Sequence, residues 1–286
     1  MKILLTGGSG DLGKVLSHQI EKRADSALRF DLRAPSDDVG TFLQGSILDR
    51  NALSAALDSV DCIVHIAAWH GYHEFTKQKT SSEFWDVNVT GTFTVFELAL
   101  EKGIKNIVFI SSENVADKNG IYGFTKVLGE QIAQHYVEQH AFNVIALRPC
   151  GFIPHWNKGV YKSFVEWMEW FWKGYVHIED VAQAVMKSVD LLMAQKLQQH
   201  LVLPVDRAYG YTEEDLKNWD KLGVGTTFKK YYEPYCHLVM KYNLDPGAKP
   251  NMHDITSTRS WLGYEPQYNL INALEDLLRY DKTDIS

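Results

Sequence analysis

The sequence predicts an α/β protein built on a doubly wound parallel sheet, with a smaller C-terminal lobe. Three observations carry that prediction. Short β-branched apolar runs alternate with helix-length segments through the first half of the chain, a glycine-rich turn joins the first run to the first helix, and the alternation stops after Pro149. Strands are expected at 2–6, 28–32, 62–67, 106–111 and 143–148, each short and apolar enough to lie between two helical layers. The helices between them are 11–23, 51–60 with Asp49 as N-cap, 84–102 and 122–139, where apolar residues recur at spacings of three and four. One more helix–strand pair is expected at 180–194 and 200–205. The remainder is mixed: a helix near 212–221, a tyrosine-rich stretch at Tyr231, Tyr232 and Tyr235, a Pro/Gly loop at 245–250 and a closing helix near 270–280. The expected division is a nucleotide-binding domain over 1–150, completed by 177–205, and a substrate-binding lobe made of 151–176 and 206–286. No repeat or low-complexity linker separates them.

Composition narrows the class. Of 286 residues 45% are hydrophobic and 23% charged, which excludes collagen-like, low-complexity and disordered chains. The 36 acidic and 29 basic side chains give a charge of -7, so no nucleic-acid partner is expected. Cys62, Cys150 and Cys236 form no CxxC pair, which argues against a disulfide framework and for a reducing compartment. The chain meets Gly7 before any signal-like apolar stretch, and no run reaches the roughly 18 residues of a membrane span. A cytoplasmic protein with no membrane partner is the expectation.

The turn Thr6-Gly7-Gly8-Ser9-Gly10-Asp11-Leu12-Gly13 is a GxxGxxG pattern between a strand and a helix. Glycines there let the backbone approach a pyrophosphate, the helix N-terminus supplies unpaired N–H groups, and Gly13 allows close helix–strand packing, as in a Rossmann fold. Asp31 closes the second strand 18 residues beyond Gly13, where a carboxylate accepts hydrogen bonds from both hydroxyls of an adenine ribose. That favours NAD over NADP, although Arg33 offers a partner for a 2'-phosphate. Tyr122 and Lys126 stand four apart on one helix face, so a lysine ammonium can lower the pKa of the phenol and make it a proton acceptor at neutral pH. Ser112, just past the fourth expected strand, is placed to donate to the same substrate oxygen.

These features, with Gly45-Ser46-Ile47-Leu48-Asp49, His65-Ile66-Ala67-Ala68, Asn88-Val89-Thr90-Gly91-Thr92, Ser111-Ser112, Arg148-Pro149 and Tyr175 to Ala182, stand in an order that resembles an extended short-chain dehydrogenase/reductase of the NAD-dependent epimerase/dehydratase family. The resemblance implies a catalytic set of Ser112, Tyr122 and Lys126, with Asn88 supporting the helix beside it. It also implies that Gly7, Gly10, Leu12 and Gly13 line the pyrophosphate, Asp31 the adenine ribose, with Arg33 beside it as the residue that could meet a 2'-phosphate, and Ser46, Ile47 and Leu48 the adenine. Ala67 and Ala68 then fall at the nicotinamide ribose, and Tyr122, Lys126 and Pro149 at the nicotinamide end. Ser46 replaces the family's usual aspartate.

Other departures point to the substrate. Tyr122 follows Ser112 by only ten residues and the stretch from Pro149 to Tyr175 is short, where members of the family it resembles carry longer segments, so the expected pocket is trimmed, as for a small sugar or sugar acid. Glu113 and Asn114 follow Ser112 where the family's dehydratases resemble one another in carrying Asp-Glu, so dehydration lacks its acid–base pair. Trp69, His70, Glu113 and Asn114 are the expected substrate contacts, since binding residues gather on loops at the carboxyl ends of strands. No metal is expected, because His70, His73 and Glu74 lack a further ligand. Cys150 reads as a small buried hydrophobe and Phe164, Trp167, Met168 and Phe171 as a core-facing stripe, while Trp170 and Trp172 fall off that stripe as a lid or subunit contact. The leading reading is an NAD-dependent oxidoreductase acting on a sugar or sugar acid, with a homodimer open. An epimerase retaining its NAD is the alternative, and a non-catalytic nucleotide sensor is disfavoured by the intact Ser112, Tyr122 and Lys126.

Overall fold

A computed structural model of the chain describes residues 1–116, 120–195, 197 and 199–283. The strands are β1 (Lys2–Thr6), β2 (Ser26–Asp31), β3 (Thr41–Gln44), β4 (Cys62–His65), β5 (Asn106–Ile110), β6 (Asn143–Pro149) and β7 (Leu201–Val205). They form one sheet in the order β3-β2-β1-β4-β5-β6-β7, and the pairings from β3 through β6 are parallel. The chain runs outward from β1 to β3, then returns to place β4 on the other side of β1. The carboxyl ends of β1 and β4 therefore flank the point where strand order reverses, the place where ligands bind in open α/β sheets.

The helices are α1 (Asp11–Lys22), α2 (Arg50–Ala56), α3 (Gly71–Phe75), α4 (Ser81–Phe84), α5 (Thr92–Glu101), α6 (Ile121–His140), α7 (Phe164–Lys173), α8 (Ile178–Ala194), α9 (Glu213–Asn218), α10 (Thr226–Tyr232), α11 (Cys236–Lys241), α12 (Thr256–Leu262) and α13 (Leu270–Thr283). Asp49 caps α2 as expected, accepting from the amides of Asn51 and Ala52 at 3.0 and 3.1 Å. The single helix expected over 84–102 is instead α4, a π-helical segment Trp85–Gly91, and α5. Gly91 lets this π segment come close to Ile47, whose Cδ1 would lie 2.4 Å from a Cβ added there. β3 was not expected; it is four residues long and half-buried, too short for a periodic signal. β2 ends at Asp31, which leaves Leu32 exposed beyond the strand.

The chain divides into two units, one of Met1–Pro149, Ala182–Pro204 and Ser257–Tyr264, the other of Cys150–Val181, Val205–Thr256 and Glu265–Ser286. Residues 284–286 of the expected lobe lie outside the described residues, as do 117–119 of the short Ser112–Tyr122 loop. Residues 257–264 join the first unit and not the lobe to which the sequence assigns them. Thr258 is fully buried there, and its hydroxyl donates to the carbonyl of Pro204, a contact no local pattern announces.

In the first unit Leu4, Phe30, Ile63, Phe96, Ile107, Phe109 and Val144 are among the buried side chains that join sheet and helices in one core. The second unit has its own aromatic core, including Trp167, Met168, Phe171, Trp219, Phe228 and Leu274. Trp172 belongs to this core and is no lid. It is 6% exposed, packs tilted against Phe228 with ring centroids 5.2 Å apart, and donates from Nε1 to the carbonyl of Asp245. A buried indole with a satisfied N–H packs like any core aromatic, whatever helical face it starts from.

Candidate active site

Local sequence shapes the turn between β1 and α1. Gly7 has φ +69°, a conformation that favours glycine, and a Cβ there would lie 2.9 Å from the amide nitrogen of Ala67. At Gly13 an added Cβ would fall 2.4 Å from the carbonyl oxygen of Gly8, so only glycine lets α1 pack this closely. Gly10 is different. A Cβ there would meet only the Gly7 oxygen, at 3.4 Å, so the neighbouring protein atoms do not demand glycine and the open side is the one a ligand backbone would use. Ser9 Oγ is buried with no hydrogen-bond partner among the described residues, and the N-cap of α1 contributes no side-chain acceptor. Orphaned donors and bare helix amides suit a pyrophosphate. Leu12 has its side chain buried, which leaves only its backbone amide to offer a ligand.

Asp31 sits at the carboxyl end of β2. Its Oδ2 accepts from the amide of Ser9 at 3.0 Å, and Oδ1 from the amide of Arg33 at 3.3 Å. Arg33 thus meets Asp31 through its backbone, while its side chain is exposed. Ser46 Oγ accepts from the amide of Leu48 at 3.1 Å; Ile47 is in the core and Leu48 is 44% exposed. Of the three expected adenine residues, Ile47 therefore turns its side chain into the core and Leu48 presents its side chain to solvent. Ala67 is pinned to β1, its amide bonded to the carbonyl of Thr6 at 3.1 Å, and Ala68 follows it in the same turn. Pro149 is buried at the end of β6.

Around Tyr122 the structure gathers what the spacing suggests. Tyr122 and Lys126 lie on the first turns of α6, 8% and 4% exposed. Lys126 Nζ donates to the carbonyl of Ile110 at 2.7 Å and lies 5.9 Å from the centroid of the Tyr122 ring. Burial pulls the lysine pKa down to about 7, with Glu130 acting in the opposite direction. Ile110 ends β5, so Lys126 is anchored two residues before Ser112. Ser112 is buried and engaged locally, its Oγ 3.1 Å from both the Asn114 amide and the Asn114 Oδ1 in the 3₁₀ turn Glu113–Ala116. Glu113 is half-buried in that turn and Asn114 exposed.

Asn88, in the π segment, ties two parts of the site together. Its Oδ1 accepts from the amide of Trp69 at 2.8 Å, and its Nδ2 donates to the carbonyl of Trp69 at 2.9 Å and to Thr125 Oγ1 at 3.0 Å. Thr125 in turn donates to the carbonyl of Tyr122. Trp69 and His70 are half-buried, with Lys79 Nζ 4.2 Å above the Trp69 ring and the His70 and His73 rings 4.1 Å apart. Burial, aided by His73 and Lys126, lowers the His70 pKa to about 3, so this imidazole is neutral at physiological pH.

Sequence reasoning missed two participants. His65 is fully enclosed, its Nδ1 2.7 Å from Thr6 Oγ1 and its Nε2 2.9 Å from Thr92 Oγ1, and burial with Lys126 nearby lowers its pKa to about 3. Glu74 caps α6 from α3. Its Oε1 and Oε2 accept from the amides of Ile121 and Tyr122 at 2.6 and 3.3 Å, where the helix's own N-cap, Gly120, has no side chain to offer. No local signal marks a cap supplied from 47 residues away. Glu74→Ala is expected to lower stability by about 1–2 kcal/mol through loss of this cap, which thermal denaturation measures directly; an unchanged midpoint would dismiss the cap.

The family model described as "NAD dependent epimerase/dehydratase family" matches residues 3–168, more than half of the chain. The chain is similar to a uronate dehydrogenase of Pseudomonas putida, 26% identical over 165 residues, which are 51% of this chain and 59% of that protein. It is also similar to an L-arabinose 1-dehydrogenase (NAD(P)(+)) of Haloferax volcanii, 26% identical over 175 residues, 51% of this chain and 65% of that one. The chain spans about half the length of the curated relatives it matches first. Among solved structures, a short-chain dehydrogenase/reductase superfamily protein of Agrobacterium tumefaciens with bound NAD shares the fold, with TM-score 0.75 and 17% identity over 100% of this chain and 98% of that one. With its glycine turn in place and more than half of its length matched by the family model, the chain belongs to the NAD dependent epimerase/dehydratase family.

Proposed function

We propose that the protein oxidises a hydroxyl or hemiacetal carbon of a small sugar or sugar acid, with Tyr122 as acid/base, Lys126 lowering its pKa and Ser112 orienting the substrate oxygen. The observation that carries this reading is the buried Lys126 Nζ, held by the carbonyl of Ile110 on the side of α6 that also bears Tyr122. NAD, when bound, supplies the hydride acceptor. Gly7, Gly10, Leu12 and Gly13 would hold its pyrophosphate and Asp31 its adenine ribose; Ser46, Ile47, Leu48 and Arg33 would border the adenosine end, and Ala67, Ala68 and Pro149 the nicotinamide end. In the reaction Tyr122 takes the substrate's hydroxyl proton, and the Lys126 ammonium stabilises the phenolate by proximity of charge. Asn88 keeps Trp69 and α6 in register beside them. Trp69, His70, Glu113 and Asn114 would face the substrate.

Similarity to uronate and L-arabinose dehydrogenases supports a free sugar or uronic acid as substrate. No described helix is long and apolar enough to cross a membrane. A cytoplasmic location and a homodimer belong to the same proposal; Trp85, Phe93 and Phe124, each more than 40% exposed, are the apolar surface such a dimer would cover. The test is near-ultraviolet absorbance of reduced nicotinamide after mixing the protein and excess NAD with free aldoses, uronic acids and nucleotide-sugars. Growth of signal with one free sugar or acid is expected. Silence across the panel, with NAD retained through purification, would select an epimerase instead, because an epimerase returns its hydride within each turnover. Asp31→Ala is expected to weaken NAD binding about tenfold while leaving NADP binding nearly unchanged, as calorimetric titration of both nucleotides would show. Equal losses for both would remove Asp31 from the ribose.

A further inference from the structure

Arg29 lies in the middle of β2, opposite Leu5 of β1, and is fully buried. Ala27, two residues earlier on the same face of the strand, is buried and apolar. An apolar side chain would fill the position of Arg29 without the desolvation of a guanidinium, so its contacts need an account. Nε donates to the carbonyl of Gly8 at 2.8 Å, and Nη1 to Asp37 Oδ1 at 2.5 Å and to the carbonyl of Val39 at 3.1 Å. Asp37 Oδ1 also accepts from the amide of Val39, while Lys14 Nζ and His18 Nε2 lie 3.8 and 3.9 Å from its other oxygen. One buried side chain thus joins the glycine-rich turn to the loop that follows the carboxyl end of β2.

The consequence is set by peptide geometry. In a trans peptide the carbonyl of one residue and the N–H of the next point in opposite directions. With the Gly8 oxygen held down onto Arg29, the Ser9 N–H points the other way, and there it donates to Asp31 Oδ2 at 3.0 Å. The turn rests directly on β2 at this point, since a Cβ on Gly8 would lie 2.7 Å from the Arg29 Cα. Without the guanidinium, the Gly8–Ser9 peptide keeps only the Ser9 N–H contact to hold its plane, and a rotated plane would turn the Gly8 carbonyl towards the Asp31 carboxylate at the cofactor's expected place.

We propose that Arg29 is a positioning residue for the NAD site, fixing the Gly8–Ser9 peptide so that its N–H faces Asp31 and tying down the segment at Asp37 and Val39 that borders the adenosine end. The proposal rests on the reading of this turn and Asp31 as the place where NAD binds. It concerns the adenosine half of the cofactor, so ADP-ribose, which carries that half without nicotinamide, feels the same effect.

The test is calorimetric titration of the full chain with NAD and with ADP-ribose, for the wild type, Arg29→Met, and the double variant Arg29→Met with Asp37→Asn. The single variant leaves Asp37 without its closest cation, and the double variant removes both charges, so folding is retained in at least the latter, as circular dichroism and the melting temperature check. Both variants are expected to bind NAD and ADP-ribose more weakly by the same factor, about tenfold or more. A folded double variant that binds both ligands as the wild type does would overturn the proposal and leave Arg29 a structural residue. A wild type that binds neither ligand would instead overturn the placement of NAD itself.

Discussion

Tyr122→Phe is expected to lower turnover about a thousandfold, within the range that general acid–base catalysis supplies, while leaving NAD affinity unchanged. The ring of Tyr122 is held between Gly71, where an added Cβ would lie 3.2 Å from its Cδ1, and Phe84, with ring centroids 6.5 Å apart. Phenylalanine fits the same space in the same rotamer, so the substitution removes the hydroxyl and little else. Steady-state rates with the sugar identified in the substrate panel, beside a calorimetric titration with NAD, separate the two effects. Full activity in this variant would end the assignment of Tyr122 as acid/base.

The second large effect is on stability, and its sign runs against the catalytic need. Burial lowers the Lys126 pKa from its ordinary 10.5 to about 7, which corresponds to about 5 kcal/mol against the charged form in the folded protein. Because the folded value lies below the unfolded one, the penalty is complete below about pH 7, shrinks between 7 and 10.5, and vanishes above that. Lys126→Met keeps the length and drops the charge, at the loss of one hydrogen bond to Ile110 of about 1 kcal/mol. The variant, measured with no nucleotide added, is therefore expected to melt roughly 5–10 °C higher than the wild type at pH 6, with the gain fading towards pH 10, and to be inactive at every pH. A Met variant no more stable than the wild type at pH 6 would show that the lysine charge is accommodated without penalty.

Much of this site is legible in the sequence because its signals are local. A strand, a glycine turn and a helix in succession require only periodicity and the conformational freedom of glycine, and Asp31 follows from where the second strand ends. The pair Tyr122 and Lys126 follows from a spacing of four on a helix, which puts both side chains on one face whatever surrounds them. By contrast, the short half-buried β3 and the π segment that aims Asn88 at Trp69 leave no periodic trace. Nor does any pattern show that Trp172 turns into the core of the second unit.

Glu74 and Arg29 show the same limit on the functional side. As residues in a sequence they are an exposed-looking acid after a histidine and a lone charge in an apolar strand. Their meaning comes from partners far along the chain: Glu74 from the bare N-terminus of α6, Arg29 from the carbonyl of Gly8 and the carboxylate of Asp37. What the sequence by itself determined is the sheet, the turn, the acid that closes the second strand and the tyrosine–lysine pair, since each is written in neighbouring residues. Only the tertiary structure decided which peptide planes are held, which helix end is capped and how far the lysine is stripped of water. Those depend on segments meeting across the fold, and on burial, which no short stretch of sequence contains.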